Sequence, residues 1–341
     1  MSEPTFLVSA YDVVVLDLDG VVYLGNDPVP HAAEVLRSLR SSGAQLAYVT
    51  NNASRPPGQV VERLESVGVQ AATADVVTSA QAVARLVAER VPANAPVLVL
   101  GGAGLREALE ERGLRIVTTA DAAPAAVVQG FSPDLGWAEL AEGTYAIRSG
   151  VPWFASNTDL TLPTVRGPAP GNGAFVAALA AATGQQPVVA GKPEPALFHE
   201  TLLRVGCSSP IVVGDRLDTD IEGANRIDVD SVCVLTGVSD LALVAAAPPD
   251  LRPTYLAPDL RVLTRPAPAV VHDGEWYVCG RARVRTDGKA VELGTMPAVD
   301  GDAAYDLATG ILQATITAIW EATDNISDVV AAATAVDRLV R

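Results

Sequence analysis

Val13 to Leu18 is a continuous apolar run broken only by Asp17, and it leads into Asp19-Gly20. A strand that is apolar on both faces belongs inside a sheet covered from both sides, and parallel sheets flanked by helices provide that setting. The following segments keep the same rhythm. Ala32–Arg40 has helical spacing and stops at Ser42-Gly43, Gln45–Val49 is again a strand, and Gln59–Val67 reads as a helix closing at Gly68. Apolar strands alternating with amphipathic helices predict βαβ units and a doubly wound parallel sheet, an α/β fold.

The alternation continues with its own strand starts at Val97–Leu100, Ala126–Gln129 and Trp153–Ala155. Gly101-Gly102-Ala103-Gly104 lacks the full dinucleotide-loop pattern and reads as a tight strand-to-helix turn. Pro163–Gly173 is rich in Pro and Gly and is expected to be a loop leading into a helix over Ala174–Thr183. Strand and helix resume at Val188 and Pro195–Val205, then Pro210–Gly214 is a short apolar strand and Val232–Leu235 the expected last core strand. Arg265-Pro266-Ala267-Pro268 is a candidate linker. Beyond it, Glu275–Arg285, the turn Asp287-Gly288 and Ala290–Met296 predict a β-hairpin, followed by helices over Ala304–Ala322 and Ile326–Leu339. The expected organisation is a core made of residues 1–80 and 188–264, an inserted domain over 81–187, and a small α/β tail over 265–341.

The chain has 341 residues and a formal net charge of −16. That balance argues against nucleic-acid binding and against adhesion to anionic membranes, both of which need a basic surface. No segment has the roughly 18 apolar residues required to span a bilayer. The opening Met1-Ser2-Glu3-Pro4 has no basic leader region, so a soluble cytoplasmic protein is expected. Three widely spaced cysteines, Cys207, Cys233 and Cys279, suggest neither a disulfide framework nor a thiolate zinc site. His31, His199 and His272 are equally scattered. The only lysines are Lys192 and Lys289, which makes the position of each worth locating.

Four short elements fall at strand ends. In Asp17-Leu18-Asp19-Gly20 a period of two puts both carboxylates on one side, at the carboxyl edge where open parallel sheets bind ligands. Two such carboxylates can hold Mg²⁺, or divide nucleophilic and proton-transfer roles; two turn aspartates capping a loop are the bland alternative. Thr50-Asn51-Asn52, just before Ser54, offers a hydroxyl, amides and backbone N–H groups suited to a phosphoryl group, though it is also an ordinary turn sequence. Gly191-Lys192-Pro193-Glu194-Pro195 places an ammonium before a helix start, where it would neutralise a phosphate. In Gly214-Asp215-Arg216-Leu217-Asp218-Thr219-Asp220, Asp215 is a candidate to complete a cation site with Asp17 and Asp19. Asp218 or Asp220 would orient a metal-bound water or Lys192. An acidic helix N-terminus would also account for these residues.

Taken in order, DxDG, TNN, GKPEP and GDxxxTD resemble the four signature motifs of the haloacid dehalogenase (HAD) superfamily. The long insertion between the second and third resembles the C2-type cap of subclass IIA. Asn157-Thr158-Asp159, Pro163 and Pro170-Gly171-Asn172-Gly173 match that subclass near the cap's end. The resemblance spans about Tyr11 to Ala257. It implies a phosphatase for a small phosphate monoester: Asp17 as nucleophile and Asp19 as general acid and base. It further implies Mg²⁺ held by the Asp17 carboxylate, the Asp19 carbonyl and Asp215, with Thr50, Asn51, Asn52 and Lys192 around the phosphoryl group. Cap-to-cap homodimers are common in the subclass, so a homodimer is expected.

A IIA phosphatase with an added α/β tail resembles the glycerol 3-phosphate phosphatases that carry an acetyltransferase-like (GNAT-like) appendage. That likeness implies glycerol 3-phosphate as substrate and a role in recycling glycerophospholipid polar heads; pyridoxal phosphate, phosphoglycolate and nucleotides are the alternatives. A rival from another class is acetyl-CoA binding or transfer by the tail, since Arg285-Thr286-Asp287-Gly288-Lys289-Ala290 formally fits a pyrophosphate loop. Such a loop should run from a strand into a helix, whereas a returning strand is expected here.

Overall fold

The computed structural model describes residues 6–164, 166–287, 289–322 and 331–337. The chain divides into two compact units, Met1–Leu46 with Ser209–Arg341, and Ala47–Ser208.

In the first unit the strands Val13–Asp17, Pro210–Gly214, Ser231–Val234 and Tyr255–Ala257 lie side by side in that order, each pair parallel. Val13 to Leu16 are at most 1% exposed, which is why the run is apolar on both faces. Leu16 pairs with Val213, so the chain emerges as Asp17 from one strand and as Asp215 from its neighbour at nearly the same level. The sheet does not end at Val232–Leu235 as expected. Tyr255–Ala257 adds an edge strand of three residues, too short to show a periodicity.

The tail forms a second sheet of four antiparallel strands in chain order: Val271–Asp273, Trp276–Cys279, Ala282–Thr286 and Val291–Leu293. The single strand expected over Glu275–Arg285 is two, because the chain turns at Gly280, whose φ of +57° suits glycine. Gly288 lies outside the described residues. The segment ending at Ala290 is followed by the strand Val291–Leu293 instead of the helix that a pyrophosphate loop requires.

The helix Gly301–Ala322 lies against this sheet. A Cβ at Gly310 would come 2.6 Å from the Cys279 carbonyl oxygen, so only glycine allows so close an approach. Ala314 and Ala318 pack with Cys279 and Val284, while Ile311, Leu312, Ile316 and Ile319 share one apolar cluster with Leu241, Val244 and Leu256. The buried Gln313 accepts from the Leu256 N–H at 2.8 Å and donates to the Thr254 carbonyl at 3.3 Å. It thereby satisfies the open edge of Tyr255–Ala257, which would otherwise present unpaired backbone groups. Residues 331–337 are helical. The rest of the helix expected over Ile326–Leu339 lies outside the described residues.

In the second unit, Tyr48 to Thr50, the end of the strand Gln45–Thr50, pair in parallel with Val76–Thr78. A separate parallel sheet has the order Val188–Val189, Trp153–Ala155, Ala126–Gln129, Pro96–Leu100, Arg115–Val117. Its outer strand Val188–Val189 therefore lies just past the segment 81–187. Pro163–Gly173 is not simply a loop. Thr161–Thr164 and Gly167–Pro170 form an antiparallel ribbon with Pro163 facing Pro168. A two-stranded ribbon has two open edges, where proline's missing N–H costs little. Glu200, 1% exposed, receives Arg85, Arg112 and Arg204, tying the helix Pro195–Val205 to the helices Ser79–Ala88 and Ala103–Glu111.

Replacing Gln313→Leu strands the Leu256 N–H in an apolar setting and is expected to lower stability by about 1–3 kcal/mol. Urea unfolding measures this; an unchanged midpoint would contradict the edge-capping role.

Candidate active site

The first unit gathers acidic groups at the carboxyl ends of adjacent strands. Asp17, Asp215 and Asp220 each contribute an oxygen, and the three oxygens lie within 4.8 Å of one another. Asp215 and Asp220 are each 1% exposed. Burying carboxylates in this way is costly unless a cation or strong donors offset their charge. Asp220 reaches the cluster because the chain after Arg216 makes a π-helical turn, Leu217–Ile221, in which the Ile221 N–H donates to the Arg216 carbonyl. Such turns re-aim side chains that an ordinary helix would not bring inward. The Arg216 N–H donates back to Asp220 Oδ2 at 3.2 Å, and a Cβ at Gly214 would lie 2.1 Å from the Asp220 Cβ. The glycine before Asp215 is thus a clearance for Asp220.

Asp19 is exposed and is not one of the three clustered carboxylates. After it the chain reverses at Gly20, with φ +85°, and the Gly20 N–H donates to the Tyr23 carbonyl at 2.8 Å. Asp218 does not join the cluster either. Its side chain is 62% exposed and bound by two Arg216 nitrogens, at 3.1 and 2.7 Å, so of the two aspartates expected to orient the site it is Asp220 that lies beside Asp17 and Asp215. Cys233 lies nearby. Burial pushes its thiol up, a hydrogen bond with Ser239 opposes this, and the nearby Asp215 and Asp220 add to it.

The second unit arranges the other motif residues around Lys192, which is 4% exposed. Asn51 grips the backbone of Lys192 on both sides: its Oδ1 accepts from the Lys192 N–H at 2.8 Å and its Nδ2 donates to the Lys192 carbonyl at 3.1 Å. The same Nδ2 donates to Asp159 at 3.2 Å. Its side chain is therefore a clamp on the lysine's backbone, a use the motif alone does not reveal. The Asn51 carbonyl accepts from Asn157 Nδ2 and from Ser79 Oγ, each at 2.6 Å. Gly191 is required here, because a Cβ would lie 2.5 Å from the Ser156 carbonyl oxygen and 2.7 Å from Asn51 Oδ1. The buried Thr50 accepts from the Asn52 N–H at 3.1 Å, and Asn52 Oδ1 accepts from the Ser54 N–H and hydroxyl at 2.9 and 2.7 Å. Asn157 is held in turn, its carbonyl accepting from Asn172 Nδ2 at 2.7 Å.

Sequence reasoning passed over the segment Thr236-Gly237-Val238, whose Val238 N–H donates to Asp215 Oδ2 at 2.7 Å. The available signal was its place immediately after an apolar strand, the same position that marks the four motifs.

The chain belongs to the haloacid dehalogenase-like hydrolases: that family's model matches residues 14–115, and a HAD-hydrolase-like model matches residues 189–263. D-glycerol 3-phosphate phosphatase of Mycobacterium tuberculosis is 42% identical over 318 residues, covering 93% of this chain and 88% of the relative. An acid sugar phosphatase of Staphylococcus aureus is 37% identical over 252 residues, 73% of this chain and 95% of the relative. Among solved structures, glycerol phosphate phosphatase from Mycobacterium tuberculosis in complex with magnesium superposes with a TM-score of 0.83 at 41% identity, covering 94% of this chain and 93% of that one. The p-nitrophenyl phosphatase from Archaeoglobus fulgidus gives a TM-score of 0.68 at 30% identity, covering 74% and 97%. The protein is accordingly a HAD-type phosphatase, a phosphoric monoester hydrolase with a parallel-sheet α/β HAD fold, and Mg²⁺ is its cofactor. The clustered carboxylates fit that ion, a hard cation that takes oxygen ligands. No helix among the described residues is long and apolar enough to cross a membrane.

Asn51→Ala removes both hydrogen bonds that hold the Lys192 backbone and is expected to raise KM for a phosphate ester on the order of tenfold. Steady-state phosphate release measures it, and an unchanged KM would contradict the clamp.

Proposed function

We propose that the chain hydrolyses glycerol 3-phosphate to glycerol and phosphate through a phosphorylated Asp17. The observation that carries the substrate is the extent of the likeness to the Mycobacterium tuberculosis D-glycerol 3-phosphate phosphatase. Its 318 aligned residues exceed the 264 that precede the tail, whereas the acid sugar phosphatase aligns over 252. The tail is therefore shared, at least in part, with a phosphatase named for this substrate.

Asp17 attacks phosphorus and the ester bond to the leaving oxygen breaks, while Asp19 gives that oxygen its proton. Asp19 then takes a proton from the water that cleaves the acyl phosphate, releasing phosphate and restoring Asp17. Mg²⁺, held by Asp17, Asp215 and the Asp19 carbonyl, with Asp220 beside them, supplies charge neutralisation for the phosphoryl oxygens. The Thr50 hydroxyl, the Asn51 backbone N–H, the Asn52 side-chain amide and the Lys192 ammonium bind those oxygens. Positioning and electrostatic stabilisation supply most of the catalysis of such transfers.

In this reading residues 1–80 and 188–264 are the catalytic core, 81–187 the substrate-selecting C2-type cap, and 265–341 a stabilising module. The enzyme works in the cytoplasm as a homodimer and recycles glycerophospholipid polar heads.

Phosphate release from glycerol 3-phosphate, pyridoxal phosphate, phosphoglycolate and p-nitrophenyl phosphate, with and without Mg²⁺, tests the proposal. Metal-dependent release with preference for glycerol 3-phosphate is expected, and preference for another ester would overturn the substrate. Asp17→Asn should abolish turnover with every ester; retained turnover would overturn the mechanism.

A further inference from the structure

Asp215 is seated by a loop outside the four motifs. The Val238 N–H donates to its Oδ2 at 2.7 Å, and the Ser239 N–H donates to its backbone carbonyl at 3.0 Å. The Thr236 hydroxyl donates to the Gly20 carbonyl at 2.5 Å, joining this loop to the turn that follows Asp19. The space around the carboxylate is as narrow as two glycines permit. A Cβ at Gly237 would lie 2.0 Å from Asp215 Oδ2, and a Cβ at Gly20 would lie 2.4 Å from the same oxygen. Backbone therefore walls the carboxyl group on both sides, and one backbone N–H fixes its rotation.

We propose that Thr236, Gly237 and Val238 form a positioning element that presents Asp215 to Mg²⁺. The inference rests on the metal site of the proposed function and adds residues that touch neither the metal nor the substrate. Its physical basis is preorganisation: a carboxylate already held in one orientation loses little freedom when it takes up the ion. Partners that hold ligands in this way contribute about 10- to 100-fold in metal affinity. Glycine is essential at 237 because a methyl group there would push Oδ2 off the Val238 N–H. Thr236 acts one step further away, by locking the loop to the Gly20 turn.

Calorimetric titration of the metal-free full-length protein with Mg²⁺ tests the inference. Gly237→Ala is expected to weaken Mg²⁺ binding by about 10- to 100-fold. In kinetics the Mg²⁺ needed for half-maximal rate should rise in parallel, with kcat largely recovered at saturating metal. Thr236→Val should show a smaller loss and Thr236→Ser should restore wild-type affinity, and this pair carries the test if Gly237→Ala fails to fold. Unchanged Mg²⁺ affinity in the folded variants, with only a lower Tm, would overturn the inference and leave the loop a structural feature. Absence of Mg²⁺ binding by the wild-type protein would instead overturn the functional reading on which it rests.

Discussion

Mutual repulsion among carboxylates is the constraint around which the first unit is organised. Asp17, Asp215 and Asp220 bring oxygens within 4.8 Å of one another, two of the three side chains being almost wholly removed from water. Nothing in a free chain would hold such groups together, since each gains by separating and hydrating. A rigid frame is needed, and the buried aliphatic strands Val13–Asp17 and Pro210–Gly214 provide it. Their parallel register delivers Asp17 and Asp215 one residue apart in level, and the π-helical turn brings in Asp220. The glycines at 20, 214 and 237 follow from the same crowding, because each is a place where a Cβ would strike one of these aspartates.

The second unit solves the opposite problem, the burial of a cation. Lys192 is 4% exposed, and its backbone is fastened by both functional ends of the Asn51 amide. Asn51 is fixed in turn through Asp159, Asn157 and Ser79, and Asn157 through Asn172. Residues of the second motif and the Asn-Thr-Asp segment thus form one hydrogen-bonded assembly that sets where the lysine begins its side chain. The Asn51 side chain acts through another residue, a division of labour a motif cannot express.

Much of this architecture was legible in the sequence because buried parallel strands leave a strong signal. Val13–Asp17, Ala126–Gln129, Trp153–Ala155 and Pro210–Gly214 were read within a residue, since each is an apolar run ended by a polar or glycine break. The identity of the site was legible for the same reason: reactive groups cluster where those runs stop. What escaped has equally physical causes. The sequence of the ribbon Thr161–Thr164 and Gly167–Pro170 reads as a loop because proline is normally a strand breaker, and a two-stranded ribbon tolerates it because both strands are edges. The strand Tyr255–Ala257 was missed because three residues carry no period. Asp218 and Asp220 could not be told apart, because both are acidic residues in the first turn after the strand and the sequence does not show which one the turn Leu217–Ile221 directs inward. The seat of Asp215 is marked in the sequence only by its place after an apolar strand, because its contributions come from a backbone N–H and from the absence of a side chain at Gly237.

The central claim is that the Asp17 carboxylate itself accepts the phosphoryl group. The most direct measurement is the mass of the full-length protein after rapid acid quench during turnover of glycerol 3-phosphate with Mg²⁺, followed by peptide mapping. The account predicts a fraction of the protein heavier by one phosphoryl group, located on the peptide that contains Asp17. Turnover with no such adduct, or with the phosphoryl group on another residue, would contradict it.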